Sequence, residues 1–416
     1  MKTGRDWTRT SSSLSLLAHL ALFISSADAV HHMQLPPRHL VNRQNSDLPL
    51  VVTNNCDGTI YPAILTQSGT GPKQAGFRLD PGNSVPQSVS ADWIGRVWGR
   101  TNCTFTDDGL VPQSSQGGSP CSSGDCGAFV QCQGAVSRNT TIYHSNTDMV
   151  QGNPPATLAE FTMSSTANQA FYDISLVDGY NLPMGIVFRP GNNTALTDIP
   201  PNLTNLICIG TSSYLQPTSA STDTTFGSNS TYPIPLEQSV TDQNVLKWCP
   251  WPLQQNPPQK PGDGVYPYPD DNIARPPFNP CYSACAKYNQ DQYCCSGTYA
   301  SPNKCKPSYY SLQAKKVCPD SYSFAFDDQT STFVIPQGGG FEVVFCPSGR
   351  SSNILATFGN QIREVARTGV VSPEIGSLAR NKTYIALKSD AVVVGGDPQT
   401  SLVALVVVFL VGMCLW

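Results

Sequence analysis

The sequence predicts an all-β fold, a sandwich or a barrel, held by disulfides. Three observations carry this. Short β-rich runs recur along the chain with turn signals between them. Prolines (35) and glycines (33) are abundant enough to make those turns frequent. The 15 cysteines are far more than a reducing compartment would tolerate as free thiols.

The runs can be taken in order. Residues 48–56, LPLVVTNNC, are rich in branched residues and close on turn formers. Further strand-like runs fall at 76–79, 94–98, 128–133, 157–163, 171–177 and 341–345. Pro81-Gly82, Asp108-Gly109 and Asp178-Gly179 punctuate them. Two stretches read as insertions. Residues 211–243 are rich in Ser and Thr and suggest a mobile, glycosylated loop. Residues 250–280 are proline-rich and carry Trp251, Tyr266, Tyr268 and Phe278, for which packing is the first expectation and a ligand platform the second.

Both ends carry processing signals. Lys2, Arg5 and Arg9 precede a short apolar stretch at 14–24, and Ala27-Asp28-Ala29 forms a cleavage site, so 1–29 is a signal peptide. Residues 30–47 form a leader. At the other end, residues 402–416 are apolar and carry no charge. The small triplet Ser389-Asp390-Ala391 and a nine-residue spacer precede them. That layout predicts a GPI anchor attached at Ser389, with 391–416 removed. Cys414 leaves with the tail, so the mature chain holds 14 cysteines, an even number. Residues 348–390, which contain no cysteine, read as a stalk or a small extra strand pair. Sequons at Asn102, Asn139, Asn192, Asn202, Asn229 and Asn381 mark candidate glycosylated loops.

Charge and motifs exclude several functions. Charged residues make up 13% of the chain, net charge is −4 and no basic stripe appears, so no nucleic-acid partner is expected. His31, His32, His39 and His144 offer no triad. No Gly-x-Ser-x-Gly elbow, phosphate loop or cofactor motif is present.

Five blocks occur in the order of a known family. They are GRVWGRTNC (95–103), PCSSGDCGAFVQC (120–132), PPATLAEF (154–161), FYDISLVDGYNLPM (171–184) and CPDSYSFAFDD (318–328). On these blocks the chain resembles the thaumatin-like proteins over about 48–347, and its insertions and anchor signal look more like fungal members. The resemblance implies a flattened β-sandwich core, a loop-rich disulfide lobe from Cys208 to about Cys318, and a small disulfide loop around 121–132. It also implies the pairs Cys56–Cys346, Cys103–Cys121, Cys126–Cys132, Cys208–Cys318, Cys249–Cys281, Cys285–Cys294 and Cys295–Cys305. The family's eighth bridge loses both partners, since Val334-Ile335 stands where one half-cystine would fall. A zinc site built from Cys281, Cys285, Cys294 and Cys295 lacks any His-bearing spacing, and no metal is expected.

In glucan-active members an acidic cleft lies between sandwich and lobe. Matched block by block, its residues here are Arg96, Glu160, Asp173, Asp178 and Asp327. A shift of register would bring in Arg100 or Asp328 instead. Hydrolysis of a glycosidic bond needs one protonated and one ionised carboxyl group. Glu160 is expected as the acid and Asp178 as the base or nucleophile. Asp173 and Asp327 would hold sugar hydroxyls, and Arg96 would orient a carboxylate. Asp173 and Asp178 are five residues apart and reach one cleft only if the chain turns at Asp178-Gly179. Trp93 and Trp98 are expected to pack in the core rather than stack on sugars. The implied protein is a monomer at the cell surface or wall. It binds β-1,3-glucan or another wall polysaccharide, with weak endo-glucanase activity, and meets the membrane through its anchor. The alternatives are a non-catalytic defence or membrane-perturbing protein, and a structural wall glycoprotein.

Overall fold

A computed structural model describes residues 47–110, 119–127, 129–132, 152–191, 193–216, 225–226, 231–257 and 279–381. Among these described residues, ten strands form two five-stranded sheets. The strands are β1 (Leu48–Asn54), β2 (Tyr61–Ser68), β3 (Ser84–Val89), β4 (Ile94–Arg100), β5 (Leu158–Thr162), β6 (Gln169–Ser175), β7 (Met184–Arg189), β8 (Leu206–Cys208), β9 (Phe333–Pro336) and β10 (Gly340–Phe345). One sheet runs β3-β1-β10-β7-β8 and the other β2-β4-β5-β6-β9. Seven short helices accompany them: α1 (Asp242–Lys247), α2 (Ala284–Tyr288), α3 (Asp291–Cys294), α4 (Tyr309–Val317), α5 (Asp328–Ser331), α6 (Ile354–Thr368) and α7 (Pro373–Arg380).

The two sheets face each other across one apolar layer. Leu50, Val52, Phe341, Val343 and Ile186 from the first sheet share a buried cluster with Ile64, Val97, Phe161 and Ile174 from the second. Phe341 links the layers: its ring lies 4.9 Å from that of Phe161 and 4.6 Å from that of Tyr172. The buried Tyr172 hydroxyl donates to Thr204 O at 2.7 Å, which satisfies its polar tip. All strand pairs are antiparallel except β1 with β10, which run parallel with Leu50 opposite Phe341. Cys56–Cys346 fastens this pair just beyond its C-terminal ends.

The seven disulfides join the same partners that the family resemblance implies. Cys208–Cys318 closes the lobe that holds α1 to α4. Cys281, Cys285, Cys294 and Cys295 are all half-cystines. The lobe returns to the sandwich through a two-bond bridge between Tyr180 and Cys281, with N–H to O distances of 2.8 Å each way.

Several elements differ from expectation, each for a physical reason. Residues 76–79 are not a strand but make isolated bridges with Ile60 and Ala63. The described part of 128–133 is an irregular loop: Phe129 makes only an isolated bridge with Leu110, and the Arg100 guanidinium takes the Phe129 and Val130 carbonyls. β2 and β7 are buried on both faces and show no alternation to read. β3 contains Pro86, which a sheet tolerates here because β3 is an edge strand.

The largest correction concerns the expected stalk over 348–390. Its described part, to residue 381, is neither a stalk nor a strand pair. Ile354, Phe358, Ile362 and Val365 line one face of α6 and are buried. Ile362 and Val365 meet Ile199, Leu203, Val334 and Ile335. This spacing is helical and was present in the sequence. Asp320 fixes the start of α6 from a distance: its carboxylate accepts from Ile354 N at 2.7 Å, Leu355 N at 2.9 Å and Ser352 Oγ at 2.6 Å. The apolar contact thus falls on Val334-Ile335, where the family's eighth bridge would sit.

The 211–243 insertion is also corrected where it is described. Ile234, Leu236 and Val240 are buried, Leu236 bridges Ser352, and Leu215 bridges Gly349. The insertion therefore packs against the segment that follows residue 347. Of the aromatic residues in 250–280, Trp251 is half-buried and the others lie outside the described residues. So do the signal peptide, nearly all of the leader, Ser389 and the apolar tail. Among the described residues no helix is long and apolar enough to cross a membrane.

Candidate active site

The second sheet sets Arg96, Glu160 and Asp173 in one row. Arg96 of β4 stands opposite Glu160 of β5, which stands opposite Asp173 of β6. Their strand neighbours Val97, Ala159, Phe161, Tyr172 and Ile174 enter the core. Alternation therefore puts the charged row on the sheet's outer face. Arg96 Nη1 lies 3.8 Å from Glu160 Oε1, and the side chains are 7% and 18% exposed, so Glu160 is the more open of the two. Arg96 Nε and Asp173 Oδ1 are buried and have no hydrogen-bond partner. Unpaired buried polar atoms are costly and mark a place where something other than stability decides the residue type.

Asp173 is buried, and burial pushes its carboxyl well above the usual range. The charges of Glu160 and Asp328 push it further in the same direction. The proton-bearing form of Asp173 is thereby favoured beside an open carboxyl group.

Asp327 and Asp328 begin α5 and point different ways, as consecutive residues at a helix start do. Asp327 was expected to hold sugar hydroxyls. It instead meets Lys315 Nζ at 3.3 Å and accepts from Ser323 N at 3.1 Å and Ser323 Oγ at 2.9 Å. Asp328 is exposed and is the member whose charge reaches Asp173. Tyr322 donates its hydroxyl to Asp328 Oδ1 and also meets Thr332 Oγ1. Burial, then Asp173, raise the Tyr322 phenol, so it stays a donor. In the sequence Asp328 is only a shifted alternative to Asp327, and Tyr322 carries no signal beyond its place in the matching block.

Asp178 sits where the chain leaves β6. A turn closes with Gly179 N donating to Leu176 O at 3.0 Å. Gly179 has φ +109°, and a Cβ there would lie 2.4 Å from Cys281 O, so only glycine fits. The turn places half-buried Asp178 at the seam with the lobe, where its charge acts on Tyr310 of α4. The five acidic-cleft positions thus divide: Arg96, Glu160 and Asp173 form the row, Asp178 lies at the seam, and Asp327 is committed to Lys315.

Arg100 does not compete with Arg96. It is fully buried, bonded to the carbonyls of Tyr61, Phe129 and Val130, and lowered to about 10 by burial. Trp93 and Trp98 are fully buried as well, with indole N–H groups donating to Thr66 Oγ1 at 2.9 Å and Gly124 O at 2.7 Å. Among the sequons, Asn102 and Asn381 are exposed, whereas Asn202 is not. Its buried amide donates to Pro233 O at 3.0 Å and Ala379 O at 2.7 Å, which corrects its expected place in an open loop. Asn139, Asn192 and Asn229 lie outside the described residues.

Comparison with known proteins adds the following. The model of the thaumatin family matches residues 54–347. A thaumatin-like protein 1 of Arabidopsis thaliana is 36% identical over 317 residues, covering 74% of this chain and 89% of that one. Pathogenesis-related protein 5 of the same plant is 33% identical over 296 residues, covering 71% and 88%. Among solved structures, a thaumatin-like xylanase inhibitor is 26% identical, with 34% of this chain and 76% of that chain covered and a TM-score of 0.24.

Proposed function

The chain belongs to the thaumatin family, and from that premise we propose that it is a cell-surface protein that binds β-1,3-glucan along the outer face of its second sheet. The observation that carries this is the row Arg96–Glu160–Asp173, with two buried polar atoms left unpaired on a face that needs no charge for folding. A glucan strand offers hydroxyl groups that both donate and accept, which suits an alternation of guanidinium and carboxyl groups. The signal peptide, the seven disulfides and the tail ending beyond Ser389 support an extracellular, anchored location.

Weak endo-β-1,3-glucanase activity is the second part of the reading, favoured by the raised Asp173 carboxyl beside Glu160. Burial and the neighbouring charges keep a proton on Asp173. That proton passes through the open neighbour, Glu160, to the leaving glycosidic oxygen as the C1–O bond breaks. Asp178 takes a proton from the water whose oxygen bonds to C1.

Sedimentation with insoluble β-1,3-glucan tests the binding. Wild type should pellet with the polymer, and Arg96→Gln should stay largely in solution. A wild-type protein that never pellets ends the glucan reading. Reducing-end release from the soluble polymer tests hydrolysis separately.

A further inference from the structure

A cleft of about 460 Å³ lies away from the acidic row, and it falls within the size range of small-ligand sites. Three chain segments wall it: residues 197–201, Tyr232 of the insertion, and residues 371–380 around α7. The last segment lies beyond residue 347, where the family match ends. The cleft is therefore built partly from chain that the common domain lacks.

One buried side chain holds the three walls in register. Asn202 follows Pro201 of the first wall. Its amide donates to Pro233 O, beside Tyr232, and to Ala379 O, beside Arg380. Arg380 closes the upper edge by donating from Nη2 to the Tyr232 hydroxyl at 3.0 Å, with its guanidinium 5.2 Å from the ring centre. Asn202, with no exposed surface, thus fixes the three walls of the cleft relative to one another.

The chemistry of the walls selects a ligand class. The lining is mostly polar, and its smaller apolar part comes from Pro201, Val371 and Pro373. Arg380 and Asp198 give a fork of donors and a pair of acceptors at the edges. Their opposite charges give neither an anion nor a cation a clear advantage, and Glu374 in the first turn of α7 opposes an anion further. A ring with apolar C–H faces and hydroxyl edges matches this arrangement.

We infer that the cleft between Asp198, Tyr232 and Arg380 is a second saccharide site, for a neutral oligosaccharide, independent of the acidic row. Arg380 lines it, and the expected anchor site Ser389 follows a short way on in the sequence. The ligand therefore has two sources: wall glucan, or the mannose-containing glycan of the chain's own anchor.

The test is an NMR titration of the full mature chain with β-1,3-glucotetraose and, separately, with a mannobiose. Gly376 and Arg380 signals report the cleft, and Gly95 and Glu160 signals report the acidic row. One of the sugars should shift the Gly376 and Arg380 signals. Arg380→Ala, an exposed change that leaves the core intact, should weaken that response about tenfold or more. Tyr232→Phe should weaken it less. Preference for glucotetraose assigns wall glucan as the source, and preference for mannobiose assigns the anchor glycan. The inference is overturned if neither sugar moves the cleft signals at roughly 10 mM. It is also overturned if Arg380→Ala changes nothing, or if inorganic sulfate binds there more tightly than both sugars. Loss of response at Gly95 and Glu160 alone would count against the glucan reading of the acidic row and leave the cleft untouched.

Discussion

Asp173 and Asp320 are both buried aspartates whose carboxyl groups burial raises, yet their surroundings are opposites. Asp320 accepts three hydrogen bonds, two of them from the first N–H groups of α6. One oxygen of Asp173 accepts none, and its charged neighbours Glu160 and Asp328 repel it. The first aspartate joins two parts of the chain. The second is held in a state that folding alone does not reward. Burial by itself therefore does not distinguish the two carboxyl groups; the partners do.

The largest expected effect is on chemistry at the acidic face. Glu160→Gln or Asp178→Asn should reduce reducing-end release from β-1,3-glucan by about 100- to 10,000-fold while pelleting with insoluble glucan persists. If Glu160→Gln leaves release unchanged, the face beside Asp173 is not the working one.

Asp320→Ala comes next. It leaves two buried N–H groups of α6 and the Ser352 hydroxyl without their acceptor, so thermal unfolding should show a loss of about 2–5 kcal/mol. Glucan pelleting at low temperature should be retained. A loss under ~0.5 kcal/mol would remove the contrast between the two aspartates.

Asp173→Asn should behave in the opposite sense. The folded-state carboxyl of Asp173 is raised, so its contribution to stability is full below its ordinary range near 3.8 and fades as pH rises through the raised value. The variant should therefore gain relative to wild type as pH increases from about 4 toward neutrality. Asp320 and Asp125 are raised as well, so the slope should become shallower without vanishing. A slope identical to wild type would show that Asp173 is not the strained group.

The smallest effect belongs to Tyr322→Phe, which removes one hydroxyl from Asp328 and Thr332. It should cost about 1 kcal/mol of stability. It should also shift the pH–rate profile, because Asp328, released from the hydroxyl that positions it, no longer holds its charge against the Asp173 carboxyl that it raises. Loss of stability with an unmoved pH profile would make Tyr322 a packing residue only.

Much of this was legible in the sequence. Arg96, Glu160 and Asp173 lie inside matching blocks, and alternation along three paired strands brings them together. The turn at Asp178-Gly179 stands where its dipeptide signals it. Other features were hidden for definite reasons. Which of Asp327 and Asp328 faces Asp173 depends on the direction of a four-residue helix, which no periodicity encodes. β2 and β7 are buried on both faces, so their pattern is indistinguishable from any apolar run. Ile354, Phe358, Ile362 and Val365 of α6 are spaced as a helix face, yet the lack of cysteine between Cys346 and Cys414 of the tail reads as the end of the domain.

The parallel pairing of β1 with β10 has a consequence for synthesis. The first strand to leave the ribosome must wait for the last, since β10 lies between β1 and β7 in the finished sheet. Until residues 340–345 emerge, β1 and β7 each present an unpaired edge to other chains. Nearly three hundred residues separate the partners of Cys56–Cys346, whose sequence separation is 290. Translation at about 5–20 residues per second then imposes a delay of roughly 15–60 seconds before that sheet can close. Pulse-labelled chains halted before residue 340 should therefore remain bound to chaperones, and chains released after residue 380 should leave them.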